Sequence, residues 1–325
     1  MDKGTDLYFF TGFLGSGKTT VLHDLLSQMR SQKVGVIVNE WGNLGVDTAL
    51  LRSSGVENIT ELVGGQIFCA CLSGSFLNTL KSLLALDVAA IFVETSGLAK
   101  PSTLKQLVEE GEKRSRGFLK YRGMVCVIDA VRFLKLRSVV KALEEQVHYA
   151  DRFILTKADL VDAETVERII RVLQELKPNG EVIVRAGKPI LLERILKFET
   201  DRKVLIPSSD PRWDGWGDGG RPETLTLYPK GSVGQKELEQ FLQEMSPFTF
   251  RIKGFVTIRE DTGRVQIDGV EEEVQILPLE ESSHQQELEG ITFILEGITF
   301  IWKVPAPPKE HVLERWRSYT GTEGQ

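Results

Sequence analysis

The stretch G-F-L-G-S-G-K-T-T, residues 12–20, decides the fold of this chain. Four of its residues fill the phosphate-loop pattern G-x-x-x-x-G-K-[ST]: Gly12, Gly17, Lys18 and Thr19. The apolar run at 7–10 predicts a strand before the loop, and residues 21–29 predict a helix after it. A glycine-rich turn of no function would not need this context, so the stretch predicts a nucleotide-binding site.

Each residue type in the loop has a chemical reason to be there. Gly15 and Gly17 let the backbone curl so that successive N–H groups point at a phosphate chain, next to the positive end of a helix dipole. Lys18 is expected to reach the β- and γ-phosphates, and the Thr19 hydroxyl to bind Mg²⁺. We expect the whole loop to contact the nucleotide: Gly12, Gly15, Ser16, Gly17, Lys18, Thr19 and Thr20.

The composition of the 325 residues excludes several other classes of protein. The net charge of −6 argues against a nucleic-acid-binding protein, which needs a basic face. No apolar run approaches the roughly 20 residues that span a bilayer, and the polar start of the chain leaves no room for a secretory signal. Three cysteines are too few for a disulfide framework. We therefore expect a cytoplasmic protein without a membrane partner.

Short apolar segments alternate with amphipathic ones as far as about residue 206. Further strands are predicted at 34–38, 89–93, 125–128, 153–155 and 182–184. Further helices are predicted at 77–86, 139–148 and 163–176. This alternation predicts an α/β fold of the P-loop NTPase type, a mainly parallel sheet with helices on both faces, whose ligands bind at the carboxyl ends of the strands.

The composition changes after residue 206. Residues 207–224 are rich in Gly, Pro and Asp and are typical of a linker. The segment 225–325 predicts a smaller α+β domain with a largely antiparallel sheet. Its strands are predicted at 225–227, 248–258, 264–267, 273–279 and 291–302, and its helices at 235–245 and 309–319. We therefore expect domains at 1–206 and 225–325.

The run I-F-V-E-T-S-G, residues 91–97, is a strand that ends in an acid with a glycine three residues later. A carboxylate at Glu94 can hold Mg²⁺ through water, and the N–H of Gly97 can meet a γ-phosphate. Taken alone, the run is equally consistent with a buried strand that ends at a turn. Beside the phosphate loop it predicts a hydrolytic site.

The tetrapeptide T-K-A-D, residues 156–159, follows another predicted strand and matches the base-reading pattern [NT]-K-x-D. Asp159 can accept hydrogen bonds from N1–H and N2–H₂ of guanine, groups that adenine does not offer, while the stem of Lys157 lies along the base plane. Thr156 stands where an asparagine amide would brace the loop, so we expect an effect on affinity rather than on base identity. Residues 185–188 can place an N–H near the guanine oxygen. The nucleotide is therefore predicted to be GTP, with Mg²⁺.

Seven stretches together resemble the CobW-like GTPases, relatives of the nickel-chaperone GTPases of the UreG and HypB type. They are T-G-F-L-G-S-G-K-T-T (11–20), V-N-E-W-G-N-L-G-V-D (38–47), E-L-V-G-G (61–65), V-E-T-S-G-L-A-K-P (93–101), V-I-D-A-V-R-F (127–133), A-D-R-F-I-L-T-K-A-D-L (150–160) and R-I-K-G-F (251–255). The resemblance implies a GTP-hydrolysing domain whose switch segments couple nucleotide state to a metal or a client metalloprotein. It also implies a CobW-type C-terminal domain that binds a partner.

By the same resemblance, residues 39–47 form the first switch. Glu40 and Asp47 are then candidate ligands to Mg²⁺ or to a delivered metal, although from the residues alone surface acids on a loop are the favoured interpretation. The candidate catalytic residues are Lys18, Glu94 and Glu40. The sequence does not identify which acid orients the attacking water, and we expect slow turnover that a partner accelerates.

The segment G-G-Q-I-F-C-A-C-L, residues 64–72, departs from the family pattern. The family carries C-x-C-C after the paired glycines, whereas this chain has C-x-C, formed by Cys69 and Cys71. Two thiolates can bind Zn²⁺ or Co²⁺ with an oxygen from Glu40, but tetrahedral Zn²⁺ takes four ligands. The alternative is that both thiols only pack, as free cysteines often do. Packing is the interpretation we favour for Cys126, which lies inside a predicted strand.

Three functional hypotheses follow. The leading one is a GTP-dependent metallochaperone that binds an ion at the cysteine pair and releases it to a client on hydrolysis. The second is a GTPase chaperone that assembles or reactivates a corrinoid or other metal-dependent enzyme without carrying metal itself. The third, a non-hydrolysing adaptor, is disfavoured by Lys18, Thr19 and Glu94. The client is expected on the C-terminal domain, and whether the chain forms a homodimer stays open.

Overall fold

The computed structural model describes residues 4–40, 58–63, 73–137, 140–187, 190, 192–196, 223–260, 263–270, 272–278, 297–303 and 305–321. They form two compact units, one with the described residues up to 196 and the other with those from 223 onward. The segment 197–222, which holds most of the predicted linker, lies outside the described residues, and the predicted domain limits stay predictions. Within the described residues, no helix combines the length and the apolar character that a bilayer crossing needs.

The first unit is built on a seven-stranded parallel sheet. Its strands are β1 (Thr5–Thr11), β2 (Val34–Glu40), β3 (Asn58–Val63), β4 (Ala90–Glu94), β5 (Leu119–Asp129), β6 (Arg152–Thr156) and β7 (Glu181–Val184). They lie in the order β3-β2-β4-β1-β5-β6-β7, and each neighbouring pair is parallel. The helices are α1 (Lys18–Ser27), α2 (Ser73–Ala85), α3 (Leu104–Arg114), α4 (Phe133–Leu136), α5 (Lys141–Tyr149), α6 (Ala163–Leu176) and α7 (Leu192–Leu196).

Helices cover both faces of this sheet, as alternate residues of β1 demonstrate. Tyr8 and Phe10 join the core that holds the buried leucines of α1. Phe9 points to the opposite face, where its ring lies 6.0 Å from that of Phe76 in α2. A strand buried on both faces needs apolar residues at consecutive positions, which explains the unbroken run at 7–10. The predicted α/β fold is confirmed.

The second unit is a five-stranded antiparallel sheet with two long helices. Its strands β8 (Thr224–Leu227), β9 (Thr249–Thr257), β10 (Arg264–Val270), β11 (Glu273–Pro278) and β12 (Gly297–Trp302) lie in the order β11-β10-β9-β12-β8. Helices α8 (Gln235–Met245) and α9 (Lys309–Thr320) supply Phe241 and Trp316 to a core shared with Phe300 and Trp302 of β12. The predicted α+β architecture is confirmed. The first part of the strand predicted at 291–302 lies outside the described residues.

Candidate functional site

The carboxyl ends of neighbouring strands bring the predicted motifs to one edge of the parallel sheet. Phe10 of β1 and Val38 of β2 both pair with Glu94 at the end of β4. On the other side of β1, Asp129 at the end of β5 pairs with Thr156 at the end of β6. Because all these strands run in the same direction, the loops that follow them leave from the same edge.

The phosphate loop connects β1 to α1 by a path with positive φ angles at three glycines: Gly12, Gly15 and Gly17. Gly12 has φ +140°, and a Cβ added there would lie 2.3 Å from the carbonyl oxygen of Val127 in β5. Gly17 has φ +88° and is the cap that begins α1. These positions lie in the left-handed region that L side chains rarely adopt. The loop therefore has a shape that the sequence pattern predicts.

Two polar side chains of the loop, those of Ser16 and Lys18, are buried. The ammonium of Lys18 donates hydrogen bonds to the carbonyl oxygens of Gly12 and Phe13, at 2.9 and 3.1 Å. The hydroxyl of Ser16 is buried and has no hydrogen-bond partner in the described part of the chain. A buried polar atom of this kind has an unmet capacity for a hydrogen bond. The interior of the loop thus offers a cation and a free hydroxyl close together.

Thr19 joins the phosphate loop to the end of β4. Its hydroxyl donates a hydrogen bond of 2.7 Å to Oε1 of Glu94, whose side chain is only 3% exposed. A hydroxyl and a carboxylate in contact supply two oxygen donors of the kind that Mg²⁺ takes. Two of the residues predicted to bind Mg²⁺, Thr19 and Glu94, are therefore neighbours, although 75 positions separate them in the sequence.

Gly97 lies directly against the phosphate loop. A Cβ added to Gly97 would come within 2.6 Å of the backbone nitrogen of Leu14. On the far side, the side-chain amide of Gln146 in α5 donates hydrogen bonds to the carbonyl oxygens of Gly97 and Ala99, at 3.1 and 3.0 Å. The segment after Glu94 is thus held between the loop and α5.

The predicted base-reading residues contact the phosphate loop through Thr156. Its hydroxyl lies 2.7 Å from the carbonyl oxygen of Ser16 and 3.0 Å from that of Ile128, and its single O–H has the Ser16 oxygen as the nearer acceptor. We expected the replacement of asparagine by threonine to remove a brace from the loop. The Thr156 hydroxyl does reach a carbonyl of the phosphate loop itself, and the expected effect on nucleotide affinity stays a prediction.

Lys157 is fixed by an acid that the sequence analysis did not select. Its backbone has φ +55°, and its ammonium forms a 2.7 Å ion pair with Oδ2 of Asp129 at the end of β5. Oδ1 of Asp129 accepts a hydrogen bond from the backbone of Val131, and Arg132 lies 3.4 Å from Oδ2. A signal was present, because an acid that ends an apolar strand is the same pattern that selected Glu94.

Asp159 lies beside the loop that follows β7. A Cβ added to Gly187 would be 3.8 Å from Oδ2 of Asp159. Arg185 anchors this loop to α1 through a 2.6 Å ion pair with Asp24. The structure therefore brings T-K-A-D and residues 185–187 of the predicted 185–188 segment to one place, while residue 188 lies outside the described residues.

The predicted transition-metal ligands fall largely outside the described residues. Asp47, Cys69 and Cys71 all lie there, whereas Glu40 ends β2, where it pairs with Val63, the last residue of β3. The described residues contain no group of three His, Cys, Asp or Glu side chains that would hold a metal ion.

Cys126 is fully buried inside β5, as expected of a packing residue. Burial raises the pKa of its thiol to about 12, so the thiol stays protonated at neutral pH. Because thiolates rather than thiols bind metal ions, Cys126 does not contribute a ligand.

Two family models match the chain. The model described as CobW/HypB/UreG, nucleotide-binding domain, matches residues 6–184, and that of the cobalamin synthesis protein CobW C-terminal domain matches residues 223–316. The first covers the parallel sheet with the phosphate loop and the T-K-A-D segment. The second covers most of the antiparallel unit.

Three relatives illustrate the similarity. The chain is 34% identical over 188 residues to the zinc chaperone CobW of a Sinorhizobium species, an alignment that covers 49% of this chain and 52% of that protein. It is 27% identical to the zinc chaperone CobW of Pseudomonas aeruginosa, over 80% of this chain and 79% of the relative. It is 28% identical to the zinc chaperone YjiA of Escherichia coli, over 80% and 84%.

Proposed function

The chain belongs to the CobW/HypB/UreG family, and from that premise we propose that it is a GTP-hydrolysing metallochaperone. It couples the state of the bound nucleotide to delivery of a transition-metal ion to a client protein. The observation that carries the proposal is the hydrogen bond between Thr19 and Glu94. It joins the second residue of α1 to the end of β4, the strand that leads into the segment with Gly97.

The residues of the loop fit a triphosphate with Mg²⁺. The Gly12 backbone fits against β5 with no room for a side chain, and the buried Ser16 hydroxyl is a donor without a protein partner among the described residues. Thr19 and Glu94 would hold Mg²⁺, directly or through water, because hard oxygen donors suit this ion. Bound there, Mg²⁺ would neutralise charge on the phosphates. The Lys18 ammonium would then donate its hydrogen bonds to phosphate oxygens instead of the carbonyl oxygens of Gly12 and Phe13.

Guanine is the base that suits the polar groups beside the loop. The Asp159 carboxylate accepts hydrogen bonds, which matches the donor pair on the guanine edge and not the adenine edge. Lys157, held by Asp129, would lie along the base, and Thr156 would keep this segment in register with the phosphate loop. A base without these donors, such as adenine, would leave the Asp159 carboxylate unpaired. A site of this kind discriminates strongly against that base.

The strand order supports coupling between nucleotide and metal. β2 lies between β3 and β4, so Glu40, Val63 and Glu94 end three adjacent strands. Cys69 and Cys71 follow Val63 by six and eight residues in the sequence. A metal held by these thiols with Glu40 or Asp47 would sit one strand away from Glu94. Because the relatives are named zinc chaperones, Zn²⁺ is the first ion to test.

The antiparallel unit is the proposed binding module for the client. It matches the CobW C-terminal domain, and no catalytic motif of the sequence falls within it. We expect the protein to work in the cytoplasm without nucleic acid or membrane partners.

Two assays with the purified chain test the proposal. The first measures multiple-turnover phosphate release with GTP and with ATP, using Lys18→Ala as the inactive control. The second titrates Zn²⁺ against a chromogenic chelator in the presence of a non-hydrolysable GTP analogue or GDP. We expect turnover with GTP alone, and tighter Zn²⁺ binding with the analogue.

The matched variant for the second assay is Cys69→Ser/Cys71→Ser. It should hydrolyse GTP and lose most of the nucleotide-dependent Zn²⁺ binding. Unchanged Zn²⁺ affinity in this variant would exclude the cysteine pair as the delivery site. Absence of GTP turnover in the wild-type protein would reject the GTPase assignment itself.

A further inference from the structure

We propose that Gln146 of α5 is a positioning residue for recognition of the γ-phosphate. Its side-chain amide holds the backbone of residues 97–99 next to the phosphate loop. The inference rests on the proposed GTPase function and adds a residue that acts through the backbone of another segment.

The two hydrogen bonds of Gln146 define its orientation. Nε2 lies 3.1 Å from the carbonyl oxygen of Gly97 and 3.0 Å from that of Ala99. Both carbonyl oxygens can only accept hydrogen bonds, so the amide nitrogen must face them and donate both of its N–H groups to them. The side chain is fully buried, so water does not compete for these bonds. One amide therefore sets the orientation of two nearby peptide groups.

The segment that Gln146 holds also packs closely on the phosphate loop. A Cβ on Gly97 would lie 2.6 Å from the backbone nitrogen of Leu14 and 2.8 Å from its Cα. Gly97 is thus packed directly on the phosphate loop while its carbonyl is tied to α5. The position of Gly97 is consequently set by two contacts, and it constrains the adjoining peptide group that carries the Gly97 N–H.

The neighbouring residue of α5 holds the continuation of the same segment. Oε1 of Glu145 accepts a hydrogen bond of 3.0 Å from the backbone of Ser102, and Oε2 lies 4.0 Å from the ammonium of Lys100. Like Gln146, Glu145 is fully buried. Two consecutive buried polar side chains of one helix are therefore used to hold residues 97–102.

The other end of the Gln146 amide carries no comparable contact. Its Oε1 is buried without a hydrogen-bond partner in the part of the chain that the structure describes. The side chain borders a small cavity together with Arg132, Phe133 and Leu143. A buried oxygen without a partner costs stability, so the favourable contribution of this amide comes from the hydrogen bonds that its nitrogen donates. The two donated hydrogen bonds are the feature that sets this residue apart.

The consequence of this arrangement depends on the γ-phosphate. GTP presents a γ-phosphate to the Gly97 N–H, whereas GDP does not. Loss of the two hydrogen bonds therefore lowers GTP affinity and leaves GDP affinity nearly unchanged. A residue that served only to stabilise the fold would change both affinities together.

The test compares Gln146→Glu and Gln146→Met, which keep the length of the side chain and lose its donors. Affinities for GDP and for a non-hydrolysable GTP analogue are measured with fluorescent nucleotides. We expect about 10-fold weaker binding of the GTP analogue in both variants, with GDP affinity within about 2-fold of wild type. The control is Val147→Ala, an adjacent and fully buried change that leaves both hydrogen bonds in place and should preserve the affinity ratio.

The pH dependence of Gln146→Glu adds a rescue experiment. A protonated glutamic acid regains one donor, so the GTP preference of this variant should rise as pH falls, while that of Gln146→Met should not. Equal losses of GTP and GDP affinity, or an unchanged ratio, would overturn the proposal.

A wild-type measurement keeps the proposal testable even if a variant fails to fold. Hydrogen–deuterium exchange in residues 97–102 and 141–149 should slow together with the GTP analogue and not with GDP. A change in one segment alone would contradict the inference. If the wild-type protein does not hydrolyse GTP, the proposed function is wrong. If it hydrolyses GTP but the Gln146 variants keep the wild-type ratio of GTP-analogue to GDP affinity, only this inference is wrong.

Discussion

The hydroxyl of Thr156 lies 2.7 Å from the carbonyl oxygen of Ser16, which places the base-reading segment and the phosphate loop in direct contact. Residues 140 positions apart in the sequence thereby share one hydrogen bond. The contact predicts that the two halves of the nucleotide are recognised by a single connected unit.

Replacing Thr156 with valine should weaken GTP binding about 10-fold without changing base preference. Valine keeps the shape but leaves the Ser16 carbonyl unpaired, a cost of about 1–3 kcal/mol for a buried acceptor. Thr156→Ser keeps the hydroxyl and should bind GTP nearly as the wild type does. Titration with a fluorescent GTP analogue measures both variants. Equal affinity of the valine variant and the wild type would show that the bond does not brace the loop.

Asp159→Asn should exchange the preferred base. An asparagine amide can donate to the carbonyl at C2 of xanthine, whereas it leaves the amino group of guanine poorly matched. We expect at least about 100-fold weaker GTP binding and measurable binding of xanthosine triphosphate. Competition between the two nucleotides for the labelled site gives the ratio. A variant that loses both nucleotides equally would place Asp159 outside the base contact.

Asp129→Asn tests the ion pair that fixes Lys157. The variant keeps an oxygen for the Val131 N–H but loses the charge that holds the ammonium. We expect GTP affinity to fall about 3- to 10-fold, because a partly buried ion pair contributes modestly. The loss should shrink at high ionic strength, where the wild-type pair is screened. Affinity measured at low and high salt checks the prediction, and an effect independent of salt would argue for altered packing instead.

Glu94→Gln should raise the Mg²⁺ requirement of hydrolysis. The amide oxygen can still accept from the Thr19 hydroxyl, so the local geometry is kept while the negative charge is lost. Loss of a metal-associated carboxylate typically costs about 10- to 100-fold in metal affinity. Phosphate release measured against Mg²⁺ concentration provides the test, with GDP binding in the presence of a chelator as the control. An unchanged Mg²⁺ dependence would remove Glu94 from the metal site.

The thiol of Cys126 should be almost inert in the native protein. With its pKa raised to about 12 by burial, its thiolate fraction at pH 8 is roughly 10³-fold below that of an ordinary cysteine. Alkylation should be slow at pH 8 and accelerate as pH rises towards 12. In Cys69→Ser/Cys71→Ser, Cys126 is the sole thiol, so labelling of this variant isolates its rate. Rapid labelling before denaturation would contradict the burial.

The sequence predicted those parts of the fold that local pattern determines. Apolar runs buried on both faces, such as residues 7–10, identify central strands without ambiguity. The edge strand β3, N-I-T-E-L-V, mixes polar and apolar residues and was missed for that reason. Helix α3 was missed as well, and Gly111 within it lowers helix propensity.

The site was predictable where a motif occupies consecutive residues and unpredictable where it is assembled by topology. Lys18, Thr19 and Asp159 follow from spacing alone. Gln146 and Asp129 act on Gly97 and Lys157, and only the pairing of strands and the packing of α5 bring them together. No local pattern marks a glutamine in the middle of an amphipathic helix as a partner of a distant loop.

The close fit of Gly12 against Val127 makes the shape of the phosphate loop depend on the position of β5. Val127 of β5 limits the shape of the phosphate loop, because its carbonyl lies where any side chain at Gly12 would have to go. Displacement of β5 by even a fraction of an ångström would therefore shift the loop at Gly12 and change phosphate binding. Substitutions in the buried core that packs against β5 are thus expected to change nucleotide affinity without contacting the nucleotide.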